Sequence, residues 1–176
     1  MIIGLAGYAQ SGKDTVAKVL IEKHGFTKIA FAEMIRVALY RLNPFIKDGV
    51  RLADYVDQLG WDGAKQEPEV RRLLQVFGTE VGRSLLGDNV WVDLALAGIK
   101  PGVNYVFTDV RFESEALAIK NLGGQVWRVS REGVYSVNGH SSESALEDFN
   151  FDARVSNDGT IAELELLIDR ISQEWV

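Results

Sequence analysis

Five short runs of β-branched and aromatic residues punctuate this chain: IIGLA (2–6), TKIAFA (27–32), NYVFTDV (104–110), QVWRVS (125–130) and DARVS (152–156). The first, third and fourth are almost continuously apolar, the pattern of strands covered on both faces. Helical periodicity fills the spaces between them. DTVAKVLIEKHG places Val16, Ala17, Leu20 and Ile21 on one face and stops at Gly25. ESEALAIKNLGG ends on a glycine pair, and TIAELELLIDRISQEW carries Ile161, Leu164, Ile168 and Ile171 at helical spacing with Thr160 as its N-cap. Strands alternating with helices predict parallel β-α-β units, hence an α/β layered domain built on a five-stranded parallel sheet.

The spacing of the runs is uneven. About seventy residues of mostly helical pattern separate the second run from the third, and long insertions in α/β proteins commonly build substrate sites. The Gly/Ser-rich stretch REGVYSVNGHSSES (131–144) follows the fourth run and suits a lid. No repeat, low-complexity segment or linker divides the chain. At 176 residues it has the length of one domain with a sizeable core.

Composition narrows the functional classes. Hydrophobic residues make up 47% and charged residues 25%, as in ordinary soluble proteins. The absence of cysteine excludes disulfides and leaves nothing that argues for an oxidising compartment. A net charge of −6 without a Lys/Arg run argues against polymeric nucleic acid as a partner. The apolar opening MIIGLAG lacks a basic flank and is too short for a signal peptide or membrane span, so no membrane partner and a cytoplasmic location are expected.

The stretch GYAQSGKDTV (7–16) carries the chemistry. Gly7-x4-Gly12-Lys13 follows a strand and opens a helix, so the backbone N–H groups around residues 11–15, from Gln10 and Ser11 through Thr15, converge on a polyphosphate. Lys13 supplies a point charge to the β- and γ-phosphates. Loops of this kind usually place Ser or Thr after the lysine to bind Mg²⁺, but here Asp14 intervenes and the hydroxyl moves to Thr15. Two readings of Asp14 stand side by side. It is a first-turn acid favoured by the helix dipole, or a carboxylate facing the metal's outer shell or the phosphate acceptor.

Further stretches sharpen the reading: FAEMIRVAL, RRLLQVFGTEVGR, NVWVD, TDVRFESE, HSSE and NDGT. With the SGKDT loop, the Leu-Leu-Gln…Gly-Thr-Glu…Arg helix and the Asp-Val-Arg-Phe-x-x-Glu strand end, the chain resembles phage-type deoxynucleoside monophosphate kinases of the P-loop nucleotide kinase superfamily. The resemblance runs from residue 2 to about residue 168. It implies a three-layer α/β P-loop kinase fold in a single domain, with a helical acceptor-binding insertion at about 33–100 and a short lid at about 131–144. It implies ATP and Mg²⁺, a deoxynucleoside monophosphate as acceptor, a homodimer, a role in DNA precursor synthesis, and the host cytoplasm if the protein is phage-encoded.

Candidate residues follow from residue chemistry set beside that resemblance. Taken as one helix at about 100° per residue, 69–86 gathers Val70, Leu73, Leu74, Phe77 and Val81 into an apolar stripe. Arg72, Gln75, Thr79 and Arg83 fall opposite, a row uninterrupted by acids that suits a phosphate and a base edge, with Gln75 able to pair with a base. Arg36 is the candidate for gripping the acceptor's 5′-phosphate, its rival reading a surface arginine. Asp109 and Arg111, at the carboxyl end of the third run, are placed to hold Mg²⁺ and to reach phosphates, with Glu115 orienting Arg111. Arg128 and Arg131 are assigned to one face of the fourth run, Arg131 being chosen to neutralise the transferring charge. The resemblance places Asn157 near the donor base and makes His140 and Glu143 lid-region candidates. Two rival classes remain: another small-molecule P-loop kinase, for a coenzyme precursor or a nucleoside, and a non-catalytic nucleotide-dependent switch. The chain lacks the Asn-Lys-x-Asp guanine motif expected of such a switch.

Overall fold

The computed structural model of the protein describes residues 1–135, 146 and 148–172. The chain runs β1 (Ile2–Ala6), α1 (Lys13–His24), β2 (Thr27–Ile29), α2 (Phe31–Leu42), β3 (Phe45–Lys47), β4 (Val50–Arg51), α3 (Leu52–Ala64) and α4 (Pro68–Val76). A π-helical segment (Phe77–Leu86) follows, then α5 (Val90–Leu96), β5 (Tyr105–Val110), α6 (Glu113–Asn121), β6 (Gln125–Ser130), β7 (Ala153–Ser156) and α7 (Ile161–Ser172). Two compact units result, one of Met1–Ala30 with Ile99–Val176, the other of Phe31–Gly98. The expected lid residues beyond 135, with His140 and Glu143, lie outside the described residues.

The first unit holds the expected five-stranded parallel sheet, in the order β2-β5-β1-β6-β7. β1 is central, with Ile2 paired to Tyr105 of β5 and Ile3 to Gln125 of β6. Its apolar run is explained by cover on both sides. Ile3 and Leu5 join Val16, Leu20, Trp127, Leu164 and Ile168 in a core beneath α1 and α7. On the opposite face Gly4 lies so close to α6 that a Cβ there would meet Ile119 at 2.6 Å. Burying each large side chain in such a core contributes about 1.5–3 kcal/mol. The chain leaves β1 towards β2 on one side and later crosses from β5 to β6 on the other. Open parallel sheets bind ligands outside the carboxyl ends of the strands at such a reversal.

Local signals set the helix ends. α1 stops at Gly25, which takes a left-handed φ of 68°. Val19 is buried with Val16, Ala17 and Leu20, whereas Ile21, assigned to the buried face by periodicity, is exposed. α7 begins as expected: Thr160 Oγ1 accepts from the Glu163 amide (3.3 Å) while Glu163 Oε2 accepts from the Thr160 amide (2.7 Å). The second run is shorter than expected, since β2 ends at Ile29 and Phe31 already opens α2.

The second unit packs Leu39, Ile46, Leu52, Val56, Ala64 and Val70 into its own core. It also contains a two-stranded antiparallel hairpin, β3–β4, which periodicity does not reveal. The single helix expected over 69–86 is replaced by α4 and the π-helical segment. Gly78 and Gly82 are buried in that segment, and a Cβ on Gly82 would lie 2.3–2.5 Å from the Trp91 indole. Trp91 Nε1 donates to the Gly78 carbonyl (2.7 Å), which locks α5 against the segment.

Candidate active site

The loop from Gly7 to Gly12 joins the central strand to α1, and its backbone geometry is tight. Gly7 and Gly12 have φ of 152° and 96°, and Gln10 is left-handed at 65°. A Cβ on Gly12 would come within 1.9 Å of Asn157 Nδ2, so glycine is required there for both conformation and space. The N-terminus of α1 carries no side-chain cap. Its first-turn N–H groups therefore have neither intrahelical acceptors nor a serine or aspartate of their own to bond, the arrangement that accepts an anion. The Ser11 hydroxyl, buried in the loop, finds no hydrogen-bond partner among the described residues.

Lys13 lies across this loop, its Nζ donating to the carbonyls of Gly7 (2.7 Å) and Tyr8 (2.8 Å). Burial, and then the charges of Arg111 and Arg128, push its pKa below the ordinary 10.5, while Asp14 and Asp109 pull the other way. Lys13, Arg111 and Arg128 line one open depression with Gly7 and Ala9. Three cations bordering one depression are an arrangement that suits a polyanion.

Neighbouring residues hold the frame. Asn157 donates from its backbone to the Ser130 carbonyl (2.8 Å) and from Nδ2 to the Ser11 carbonyl (3.2 Å), tying the loop to the end of β6. Glu115 is buried and accepts at Oε2 from the backbone N–H groups of Arg111 (2.8 Å) and Phe112 (3.1 Å). It thus fixes the main chain where β5 turns into α6, through the amides of Arg111 and Phe112. Thr15 and Asp109 are half-buried, on the first turn of α1 and near the end of β5.

The structure bears on the two readings of Asp14 and corrects one expectation, for Arg128 and Arg131. Asp14 does not line the depression: its side chain is 87% exposed and pairs at 3.3 Å with Lys28 on β2. Successive side chains in a helix diverge by about 100°, so a residue beside Lys13 need not share its direction. Arg128 and Arg131 do not share a strand face. Residues three apart on a strand point oppositely, and β6 ends at Ser130, leaving Arg131 exposed in the turn that follows. Of these two arginines, Arg128 lines the depression, together with Arg111. The signal of Arg128 was present in the sequence, as a charge between the apolar Trp127 and Val129 of β6.

The acceptor candidates all belong to the second unit. Arg36 on α2 donates to Glu33 (3.2 Å), and its guanidinium carbon lies 6.0 Å from the Trp61 ring centre. Arg72 forks onto Glu69 with two bonds of 2.7 Å, so an acid one turn earlier does interrupt the row. Gln75 and Thr79 are exposed, the Thr79 hydroxyl bonding the Gln75 main-chain carbonyl (2.6 Å), and Arg83 is half-buried. Beyond Val76 the wider π-helical turn advances each residue by less than 100°, so the arc drawn through Arg72, Gln75, Thr79 and Arg83 does not hold. Lys65, not singled out by the sequence pattern, has its pKa lowered by burial and then by the charge of Arg36.

Comparisons with known proteins bear on the family and the fold. A family model described as deoxynucleotide monophosphate kinase matches residues 50–168. A protein of Acanthamoeba polyphaga mimivirus, provisionally named a deoxynucleotide monophosphate kinase, is 32% identical over 181 residues, covering 93% of this chain and 91% of its own. The deoxynucleotide monophosphate kinase of Escherichia phage RB69 is 32% identical over 107 residues, 58% of this chain and 44% of the phage protein. Among solved structures, TT1252 from Thermus thermophilus aligns over 100% of this chain and 98% of its own at 16% identity and a TM-score of 0.52, a likeness of fold. Among the described residues no helix is long and apolar enough to cross a membrane.

Proposed function

The chain belongs to the deoxynucleotide monophosphate kinase family, and from that premise we propose that it transfers the γ-phosphoryl group of MgATP to a deoxynucleoside 5′-monophosphate, giving ADP and the diphosphate for DNA precursor synthesis. The observation that carries this reading is the uncapped N-terminus of α1 with the Lys13 ammonium laid over the loop carbonyls beside it. Phosphoryl transfer passes in line between two anions, so positioning and charge neutralisation carry the catalysis and no covalent enzyme intermediate is required. The loop amides and Lys13 hold the β- and γ-phosphates; Arg111 adds positive charge from the end of β5.

The residues present also fit a nucleotide-borne Mg²⁺. The Thr15 hydroxyl and the Asp109 carboxylate offer the one or two oxygens that such an ion takes from protein when phosphates supply others. When bound, the ion neutralises charge on the phosphate oxygens. The orphaned Ser11 hydroxyl supplies a further polar group within the loop. Acceptor recognition is assigned to the second unit, with Arg36 for the 5′-phosphate and Gln75 for the base edge.

A coupled assay of ADP formation over the deoxy- and ribonucleoside monophosphates, with Mg²⁺ and ATP, tests the reaction directly. Transfer to at least one deoxynucleoside monophosphate, abolished in Lys13→Ala with an unchanged melting profile, is the expected result. Normal turnover by Lys13→Ala, or no transfer to any monophosphate, refutes it.

A further inference from the structure

Arg128 interrupts the apolar run of β6 from a half-buried position, and its surroundings differ from those of Arg36 and Arg72. Arg36 and Arg72 are each bonded to a glutamate. Arg128 has no carboxylate or hydrogen-bond acceptor among the described residues. It is instead held by aromatic faces, its guanidinium carbon 4.8 Å from the Tyr8 ring centre and 5.6 Å from that of Phe151. Arg154, opposite Arg128 on β7, stands 5.7 Å from the same Phe151 ring. Two like charges side by side on neighbouring strands, one of them half-buried, are costly unless an anion arrives. Stacking on rings fixes a guanidinium without consuming its N–H donors. Arg128 also borders the depression that holds Lys13, and its charge reaches the Lys13 ammonium.

We propose that Arg128 is a catalytic residue whose forked N–H groups grip the polyphosphate beside Lys13, with Tyr8 and Phe151 as positioning residues that hold the guanidinium in place. This rests on the kinase reading for its catalytic part alone; the anion grip stands independently of it.

Isothermal titration with inorganic tripolyphosphate, run alongside steady-state transfer from ATP, tests both parts on the full chain. Arg128→Ala weakens tripolyphosphate binding roughly 10- to 100-fold, the loss expected for charge-assisted hydrogen bonds. It lowers kcat about 100-fold or more. Arg128→Lys keeps the charge without the planar fork and falls between the two. Added guanidinium ion restores part of the turnover of Arg128→Ala and none of that of Lys13→Ala. Phe151→Leu slows the wild type several-fold yet adds nothing in the Arg128→Ala background, a coupling that simple loss of packing would not produce. Should Arg128→Ala fail to fold, Arg128→Lys reads the same two quantities. Wild-type affinity and turnover in either Arg128 variant overturn the proposal. A wild type that transfers to no monophosphate while Arg128→Ala still loses tripolyphosphate refutes the reaction and upholds the grip.

Discussion

Gly12 and Asn157 form a pair whose coupling can be calculated before it is measured. Gly12→Ala meets two separate obstacles. Its φ of 96° lies in the left-handed region, which costs a non-glycine residue about 1–2 kcal/mol. Its new Cβ would lie 1.9 Å from Asn157 Nδ2 and 2.9 Å from Cγ, an overlap of the kind that costs about 1–3 kcal/mol as neighbours shift. Lower chain entropy in the unfolded state returns about 0.4–1 kcal/mol. The single variant is therefore expected to lose about 2–4 kcal/mol. Asn157→Ala alone forfeits the 3.2 Å bond to the Ser11 carbonyl, about 1 kcal/mol.

The double variant separates the two obstacles. Removing the carboxamide leaves Asn157's Cβ position 3.6 Å from the new methyl, an ordinary contact, so the overlap vanishes while the backbone cost remains. The two losses should then sum to about 1–3 kcal/mol more than the double variant suffers. Urea denaturation followed by circular dichroism and tryptophan fluorescence yields the four free energies, with unchanged m-values as the check that one transition is being compared. A cycle that closes additively to within about 0.5 kcal/mol refutes the claim that Asn157 enforces glycine at position 12.

Lys13 sets an alkaline limit on anion binding. Because its folded-state pKa lies below 10.5, the unfolded chain holds the extra proton between the two values, and this residue's contribution to stability rises with pH across that window. Tripolyphosphate affinity should move the opposite way, falling from below pH 10.5 as the ammonium is lost. Titration calorimetry on Lys13→Arg, in which that limb should disappear, checks the assignment. Gly82→Ala drives a methyl into the rigid Trp91 indole and should cost the second unit about 1–3 kcal/mol in urea denaturation read by tryptophan emission. Asp14→Ala should keep near-normal turnover and Mg²⁺ dependence, with a stability change under about 1 kcal/mol, because its partner Lys28 is an exposed surface pairing.

What could be read from the chain alone was whatever is local in it. β1, β5 and β6 announce themselves because both faces are covered along much of their length, which demands runs of apolar residues there. β2, an edge strand of three residues, is largely exposed, so the apolar residues after it belong to the next helix. The hairpin in the second unit escaped periodicity because strands of three and two residues have no period to measure. Its signal was the turn Asp48-Gly49, with Gly49 at a φ of 73°. The phosphate loop was readable for the same reason as the central strands: strand, glycines, lysine and helix are consecutive.

The surroundings of the remaining residues have a different cause, since each depends on a partner that periodicity does not supply. Arg128 acquires its place from rings at positions 8 and 151, which only the sheet order brings to one face. Asn157 is fixed by a carbonyl 146 residues earlier, so a segment that reads as a plain turn becomes the clasp of the loop. In the second unit the fault lies in the period itself. Gly78 and Gly82 remove side chains from one side of a helix that Ile35 and Trp91 then approach, and this close packing accompanies the change to wider turns after Val76. A π-helical segment is costly as backbone and occurs mostly where function or packing holds it. Tertiary contact through two glycines thus decides the direction in which Arg83 leaves the helix, and no uniform angle per residue could have assigned it.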